Sequence, residues 1–248
     1  MTDLDDFSGL ARQYARYRPT YPDELFRYLA SISSAHRLAL DCATGNGQAA
    51  RGLVDYFEAI IAFDLSMDQL KQASTHQKIS YLAARAEAIP VERGLFDLVI
   101  VTEALHWFDP TAFYSEVKRV LKPGGIFAAL AYHLLETDPD IDRIVARYYT
   151  QVLGPYWSPG IRLVEEKYQT LPFPFSEKQA PELKMETSWN LHETLGFLAS
   201  WSATTRFMAI NGYHPLQAIE SELLAAWGNP ENRRILTWPL TLKVGVSL

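Results

Sequence analysis

The sequence has one cysteine, no long apolar run and fewer basic than acidic residues. The single cysteine, Cys42, cannot form a disulfide within the chain, which favours a reducing, cytoplasmic location. No stretch approaches the roughly 18 consecutive apolar residues of a membrane helix, and the acidic start does not look like a secretory signal. Lys and Arg number 23 against 29 Asp and Glu, without a basic stripe. We therefore expect no nucleic acid and no membrane as partners.

Motifs of metal sites and of nucleophilic hydrolases are missing too. There is no His-Glu-x-x-His, no Cys/His cluster and no Gly-x-Ser-x-Gly. Four scattered histidines are assigned to the surface or to packing, namely His36, His76, His192 and His214. The sequence thus predicts no bound metal ion and no covalent nucleophile.

Apolar material is abundant, and its spacing predicts the fold class. Hydrophobic residues make up 48% of the chain and aromatic residues 12%, which is enough for a large core. Short apolar runs alternate with amphipathic stretches, as in strands joined by crossover helices. Strands are predicted over 37–41, 59–64, 79–83, 96–101 and 125–131, and helices over 47–56, 67–76 and 110–121. This order predicts an α/β, Rossmann-like, doubly wound sheet with a crevice at the carboxyl ends of its central strands.

The remaining segments are predicted to complete one domain over 1–248. Residues 1–36 would form a helical N-terminal cap, and residues 133–248 would add a lid insertion and complete a mostly parallel, seven-stranded sheet. Helices are predicted over 138–153, 191–202 and 215–227, strands over 183–189 and 237–246, and a proline-rich loop or lid over 155–181.

The most informative segment is 40–48, Leu-Asp-Cys-Ala-Thr-Gly-Asn-Gly-Gln, a strand end that runs into a turn opening a helix. Glycine lets the backbone approach a ligand and adopt a positive φ. A dinucleotide fingerprint has three spaced glycines, whereas here Ala43 takes the first place and only Gly45 and Gly47 remain. The Asp41 carboxylate suits a cationic amine better than a phosphate. The alternative is an ordinary tight turn with a helix cap.

A second acidic residue, Asp64, ends the next predicted strand, 23 positions after Asp41. Nucleotide-binding folds of this type place an acid for the ribose hydroxyls about 20 residues after the glycine turn. The pattern therefore predicts that Asp64 binds a ribose. The alternative role for Asp64 is to cap the helix that begins near Ser66.

Four further motifs follow the glycine turn and Asp64 along the chain, at 84–90, 96–99, His106-Trp107 and 119–125. With them, residues 38–130 resemble the class I S-adenosylmethionine-dependent methyltransferases of the type 11 kind. The N-terminal residues also resemble a subgroup that includes trans-aconitate methyltransferase-like proteins, on Phe7, Tyr14, Tyr17, Arg18-Pro19 and Tyr21-Pro22. The resemblance implies S-adenosyl-L-methionine as cofactor, S-adenosyl-L-homocysteine as product and a small-molecule acceptor, with a carboxylic acid as one candidate.

The resemblance also implies a binding set centred on residues 37–132, the cofactor-binding core. The turn would surround the methionine part, Asp64 would bind the ribose, Leu65 would pack on the adenine, and Glu87 would lie near its amino group. Residues 102–107 would flank the transferred methyl group. The set that the resemblance implies is Asp41, Ala43, Gly45, Gly47, Asp64, Leu65, Ala86, Glu87, Thr102 and Trp107. Tyr14 and Arg18 are added to the cofactor site because an aromatic ring and a guanidinium could enclose the ligand; the alternative is that the tyrosines form the apolar face of a cap helix.

Candidates for the acceptor pocket follow the later strands. Because a sulfonium is already a strong electrophile, positioning supplies much of the rate. His106 is the first candidate proton acceptor, and His133, just beyond the fifth predicted strand, is the second. The alternative is that His106 bonds a backbone carbonyl and that Trp107 packs under the cap. The predicted pocket set is Tyr21, His106, Trp107, His133, Tyr156 and Trp157. A carboxylic acid would bind one of the arginines Arg18, Arg147 and Arg206.

Two other functions fit the sequence less well. A protein that binds S-adenosylmethionine without catalysis shares every cofactor-site residue. An NAD(P)-dependent oxidoreductase shares the fold but needs the third glycine. The chain is expected to be a monomer or a homodimer.

Overall fold

The computed structural model of the protein describes residues 18–247 and contains a single eight-stranded sheet. The strands are β1 Leu38–Cys42, β2 Ala59–Asp64, β3 Ile79–Ala83, β4 Phe96–Thr102, β5 Leu121–Tyr132, β6 Ser176–Lys178, β7 Lys184–Trp189 and β8 Arg234–Val246. Their order is β3-β2-β1-β4-β5-β8-β6, with β7 pairing with β8. Strands β1 to β5 run parallel, and β8 is antiparallel to its neighbours. The predicted α/β class is confirmed, with β6 as an additional strand to the seven expected.

The central strand β4 shows why this segment forms the middle of a sheet. Every residue of β4 is buried, as expected for a parallel strand covered on both faces. Its side chains alternate, so Val99 and Val101 pack in one hydrophobic cluster while Leu98 and Ile100 pack in the cluster on the other face. The two clusters hold the helices against the sheet and fix the ends of its strands.

The described residues form nine α-helices. They are α1 Asp23–Ile32, α2 Gln48–Leu53, α3 Met67–Lys71, α4 Pro110–Val120, α5 Pro139–Arg147, α6 Ile161–Glu165, α7 Leu191–Ala199, α8 Ser202–Asn211 and α9 Glu220–Trp227. Helix α1 buries Leu25, Phe26 and Leu29 on one face. It packs closely on α2 because Gly52 leaves room there: a Cβ on Gly52 would lie 2.1 Å from the Phe26 ring.

Several predicted boundaries in the second half are wrong. The helix predicted over 191–202 ends at Ala199, and a second helix, α8, follows because the extended Trp201 breaks the first. The helices predicted over 138–153 and 215–227 each contain a non-α turn, at Tyr148–Val152 and Pro215–Ala218.

The proline-rich segment 155–181 is more ordered than the predicted loop. It contains α6 and β6, and it buries three large side chains in the core, Val164, Tyr168 and Phe175. The prediction gave its prolines more weight than its apolar residues. Within residues 18–247, no helix combines the length and apolar character that crossing a membrane requires.

Candidate functional site

The turn between β1 and α2 has an unusual backbone. Ala43, Gly45 and Gly47 all have a positive φ, of 51°, 57° and 85°. The Thr44 N–H donates to the Phe63 carbonyl at 2.8 Å, which joins the turn to the end of β2. The left-handed conformation at Ala43 is the one that glycine adopts freely, so the departure from glycine noted in the sequence places a strained residue in the turn.

Replacing Ala43 with glycine is expected to stabilise the protein by about 1 kcal/mol, because glycine removes the Cβ clash of the left-handed conformation. Urea unfolding followed by circular dichroism measures the change. The matched control is Ala225→Gly at an exposed position inside α9, where glycine is expected to cost about 1 kcal/mol. A loss of stability in Ala43→Gly would show that the backbone at this position is unstrained.

Asp41 lies beneath the turn and is fully buried. Its Oδ2 accepts hydrogen bonds from the Thr44 hydroxyl at 2.5 Å and from the Ala50 N–H at 2.8 Å. Burial raises the pKa of Asp41 to about 7, although these two hydrogen bonds favour the ionised form. The carboxylate therefore fixes the turn to the start of α2, and its contact with a methionine part stays a prediction.

A cleft opens at the carboxyl ends of β1 to β4, where the sequence placed the crevice. Of the residues assigned to a cofactor, eight line it: Ala43, Gly45, Asp64, Leu65, Ala86, Glu87, Thr102 and Trp107. Asp41 and Gly47 are not among its lining residues, and Arg18 lines a second cavity. Tyr14 lies outside the described residues. The sequence did not single out Phe63, Ser66, Gln69 or Phe108, which also line this cleft.

Asp64 closes one side of the cleft and holds two backbone groups. Its Oδ2 accepts from the Gly45 N–H at 2.8 Å, and its Oδ1 accepts from the Ser66 N–H at 2.7 Å. Burial raises the pKa of Asp64, and the backbone hydrogen bonds oppose that rise. The N-cap of α3 is Ser66, whose side chain accepts from the Gln69 N–H, so Asp64 is not the capping residue.

The β3 side of the cleft combines apolar surface with one acid. Leu65 is 44% exposed at the mouth, and Ala86 is buried in the wall. The Glu87 carboxylate accepts from the Asp109 N–H at 3.3 Å and lies 3.8 Å from the Arg85 guanidinium. An apolar slot with a carboxylate at its edge suits a flat heterocycle that carries an amino group.

A second cavity adjoins the first on the side of β5. Its wall is largely aromatic, with Trp107, Tyr132, Tyr149, Trp157, Phe197 and Trp201. Glu103 and Trp107 line both cavities, so the two spaces meet at the end of β4. His133 also lines the second cavity, and its ring lies edge-on to Tyr149 with centroids 4.8 Å apart.

Two predicted pocket residues lie elsewhere. The Tyr156 hydroxyl accepts from the Asn211 side chain at 2.9 Å, and its ring packs 4.8 Å from that of Phe207. Tyr21 packs against two hydrophobic clusters and is not among the lining residues of either cavity. Tyr156 therefore packs on α8 and Tyr21 packs against the hydrophobic clusters, and neither residue lines one of the two cavities.

Arg18 lines the second cavity and forms hydrogen bonds to two other segments of its wall. It donates to the Tyr132 hydroxyl at 2.9 Å and to the Ser200 carbonyl at 3.4 Å. Its guanidinium carbon lies 5.4 Å from the centre of the Phe197 ring. The sequence assigned Arg18 to the cofactor, whereas the structure places it in the cavity beyond.

His106, the candidate proton acceptor, lines the second cavity with its Nδ1 3.2 Å from the Tyr168 hydroxyl. The alternative interpretation of the sequence was that His106 bonds a backbone carbonyl. In the structure its hydrogen-bond partner is the Tyr168 hydroxyl instead. Burial lowers the pKa of His106 to about 4, so the ring is neutral at pH 7 and a weak base.

Glu103 is the residue that the sequence interpretation passed over, naming it only within the range 102–107. It follows β4 with a φ of 55°, and its Oε1 accepts from the Tyr132 N–H at 2.5 Å. Burial raises the pKa of Glu103 to about 8, while the bond from Tyr132 and the charge of Arg18 favour the ionised form. The sequence offered one signal for Glu103, its position: Asp41 and Asp64 likewise lie at the carboxyl ends of β1 and β2.

The raised pKa of Glu103 gives the stability a defined pH dependence. Between pH 4.5 and about 8, Glu103 is protonated in the folded protein and ionised in the unfolded chain. The free energy of unfolding therefore falls as the pH rises through this range. His106 acts in the opposite sense, but only below about pH 6.5. Burial also raises the pKa of Asp41, so its titration lowers the stability in the same sense as that of Glu103, up to about pH 7.

Between pH 6.5 and 8 the free energy of unfolding is therefore expected to fall, by at most about 2 kcal/mol from Glu103. Glu103→Gln removes that titration and is expected to flatten the profile, which urea unfolding at a series of pH values measures. An equally steep profile in Glu103→Gln would assign the dependence to other groups.

A doubly wound sheet in which the β1 turn and the acid at the end of β2 border a cleft is the arrangement of nucleotide-binding α/β proteins. A family model described as a methyltransferase domain matches residues 40–129. A protein of Dictyostelium discoideum that is named a methyltransferase is 30% identical over 231 residues, covering 91% of this chain and 88% of its own length. The chain belongs to the methyltransferase family, with the class I, Rossmann-like fold.

A solved structure from Anaeromyxobacter dehalogenans, described as a type II methyltransferase, superposes with a TM-score of 0.86. It is 41% identical, and the match covers 94% of this chain and 99% of that one. A malonyl-[acyl-carrier protein] O-methyltransferase from Herminiimonas arsenicoxydans is 31% identical over 158 residues, covering 58% of this chain and 60% of its own length.

Proposed function

We propose that the chain is an S-adenosylmethionine-dependent methyltransferase that acts on a small-molecule acceptor. The observation that carries the proposal is the meeting of two cavities at Glu103 and Trp107, one suited to an adenosyl group and one lined by aromatic rings. Methyl transfer needs such a junction, because the methyl donor and the acceptor atom must come within about 3 Å in a fixed orientation.

The backbone of the β1 turn supports an adenosyl cofactor over a dinucleotide. A pyrophosphate binds free N–H groups at the start of a helix. Here the Gly45 N–H is taken by Asp64, the Gly47 N–H by the Thr44 carbonyl and the Ala50 N–H by Asp41. Two carboxylates already face these amides, so a phosphate would meet negative charge. This arrangement argues against the NAD(P)-dependent oxidoreductase.

The residues of the cleft fit S-adenosylmethionine part by part. The Asp64 carboxylate would bind the ribose hydroxyls, Leu65 and Ala86 would contact the adenine, and Glu87 would accept from its amino group. The methionine part would then extend past Thr102 towards the second cavity. When bound, the cofactor supplies a methyl group activated by the sulfonium charge.

The chain's own residues bind and orient the acceptor. The aromatic rings of the second cavity exclude water and present faces that favour a nearby positive charge. The Arg18 guanidinium bridges Tyr132 and Ser200 and so fixes the distance between β5 and the segment after α7. Neutral His106, held by Tyr168, keeps its ring in one orientation in the wall.

The enclosed cavity supports a small molecule as acceptor. A carboxylic acid as acceptor has less support. Three arginines were candidates for binding its carboxylate, and only Arg18 lines the cavity. Arg147 pairs with Glu222 at 2.9 Å, and Arg206 donates to the Tyr156 carbonyl at 3.3 Å. The likeness to trans-aconitate methyltransferase-like proteins remains a prediction.

Isothermal titration with S-adenosylmethionine, S-adenosylhomocysteine and NADH tests the cofactor. Micromolar binding of both adenosyl compounds, about 8 kcal/mol, without binding of NADH is the expected result. Binding of NADH alone would overturn the proposal. Incubation with methyl-labelled S-adenosylmethionine and a mixture of small metabolites tests turnover, and tight binding without any transfer would favour the non-catalytic binding protein.

A further inference from the structure

We propose that Glu103 lies at the point of methyl transfer, faces the sulfonium and takes the proton of a hydroxyl or amine acceptor. The inference rests on the proposed methyltransferase function and specifies its acceptor chemistry. It assigns to Glu103 a role for which the sequence had offered His106.

The placement of Glu103 is the first support. Only Glu103 and Trp107 are shared between the described walls of the two cavities, and of these two only Glu103 is ionisable. The cleft runs from the ends of β2 and β3 to the end of β4. With the ribose at Asp64, the sulfonium end would therefore reach the β4 side, next to this carboxylate.

The backbone holds Glu103 in that position at a cost. Its φ of 55° lies in the left-handed region, which is unfavourable for a residue with a Cβ. Two bonds to β5 maintain it: the Glu103 N–H donates to the Leu130 carbonyl at 2.9 Å, and the Tyr132 N–H donates to the Glu103 carboxylate. Strained residues held by their surroundings in this way are concentrated at active sites.

The charged and titratable groups around Glu103 leave a place for a cation. Arg18 favours the ionised carboxylate, but its guanidinium also donates to Tyr132 and Ser200. His106 lines the second cavity and is neutral at pH 7, because burial lowers its pKa to about 4. The Tyr168 hydroxyl lies 3.2 Å from its Nδ1, and burial raises the pKa of that hydroxyl. His133 directly follows β5, and burial lowers its pKa although the charge of Glu165 opposes that shift. A sulfonium beside Glu103 would add the opposite charge that the buried carboxylate needs to ionise.

This arrangement selects the chemical class of the acceptor. A carboxylate acceptor would bring a second negative charge next to Glu103, which disfavours it. A hydroxyl or amine instead donates a hydrogen bond to the carboxylate. In the reaction its lone pair forms a bond to the methyl carbon, the carbon–sulfur bond breaks with its electron pair on sulfur, and the acceptor proton passes to Glu103. The products are the methylated acceptor, a thioether and a protonated carboxyl group.

Proton release on cofactor binding tests the position of Glu103 without any acceptor. At pH 7 the buried carboxyl is mostly protonated, and a neighbouring sulfonium would ionise it. Titrations of the full chain in phosphate and in Tris, whose ionisation heats differ, measure the protons released. S-adenosylhomocysteine carries the same amino and carboxyl groups without the positive sulfur, so the difference between the two compounds isolates the sulfonium.

The wild-type chain is expected to release between about half and one proton more with S-adenosylmethionine than with S-adenosylhomocysteine. Glu103→Gln is expected to abolish that difference and to reduce the preference for S-adenosylmethionine by roughly tenfold. Glu87→Gln, in the same cleft but at its β3 side, is the matched control and should weaken both compounds alike. Equal proton release for the two compounds in the wild type would overturn the proposal.

The same titrations separate this inference from the function on which it rests. No binding of either compound would remove the proposed methyltransferase function, whereas binding with equal proton release removes only the role of Glu103. Label transferred from methyl-labelled cofactor is expected on oxygen or nitrogen of alcohols or amines. Recovery of the label as carboxylic esters would overturn the acceptor class.

Discussion

Replacing Asp64 with alanine is expected to weaken S-adenosylmethionine binding by at least about 100-fold. A carboxylate that accepts hydrogen bonds from two ribose hydroxyls makes charge-assisted bonds of roughly 1.5–3 kcal/mol each, and alanine removes both. The change also frees the N–H groups of Gly45 and Ser66, which Asp64 holds at 2.8 and 2.7 Å. The turn that borders the cleft would loosen as the ligand loses its partner. Isothermal titration of the variant against the wild type measures the effect.

Two control variants separate binding from folding at this position. Asp64→Asn keeps one oxygen acceptor and the shape of the side chain, so it is expected to lose less affinity than Asp64→Ala. Asp68→Ala, in the first turn of α3, removes a carboxylate that pairs with Lys71 at the surface. It should bind like the wild type. Unchanged affinity in a folded Asp64→Ala chain would place the ribose elsewhere and reopen the assignment of the whole cleft.

The local pattern of the sequence was enough to predict the central sheet. Strands β1 to β5 were each found within four residues of their predicted ends, because a buried parallel strand is a short apolar run and its neighbours are set by right-handed crossovers. The cleft was predictable for the same reason. The ends of parallel strands meet at one edge, so Asp64 and Glu87 had to lie near the turn at Gly45.

Long-range packing decides what the sequence pattern could not predict. Tyr156 looks like a lid residue from its neighbours, yet its ring packs on Phe207, about fifty residues later. Arg18 reaches the second cavity through Tyr132, 114 residues away. A single sequence contains no signal for such pairs, because neither periodicity nor turn chemistry links them.

Glu103 shows a different limit. The sequence located the segment after β4 and singled out His106 there as the candidate base, because histidine ordinarily titrates near neutral pH. Burial reverses that order, lowering the pKa of His106 to about 4 and raising that of Glu103 to about 8. Which side chain is buried against which depends on β5 and on the segment around Tyr168, and so on the complete fold.

Replacing Asp97 with alanine is expected to destabilise the protein by about 3 kcal/mol. The buried Asp97 carboxylate accepts from the Arg37 and Leu38 N–H groups at 2.8 and 3.0 Å and from the Lys122 ammonium at 2.5 Å. It thus fixes the start of β1 to the start of β5. Removing it leaves two amides and a partly buried ammonium without their partner, a loss that costs several kcal/mol in buried sites.

The pH dependence of this contribution has the opposite sign to that of Glu103. Burial opposes the ionisation of Asp97, but Lys122 and the two amides prevail and lower its pKa. The stabilisation is therefore complete above about pH 4, the ordinary aspartic acid range, and is lost as the pH falls further. Urea unfolding at pH 7 and at pH 3 measures both effects. Asp140→Ala, which breaks an exposed pair with Arg143, is the matched control and should cost less than about 1 kcal/mol. Equal losses in the two variants would mean that burial adds nothing to the Asp97 pair.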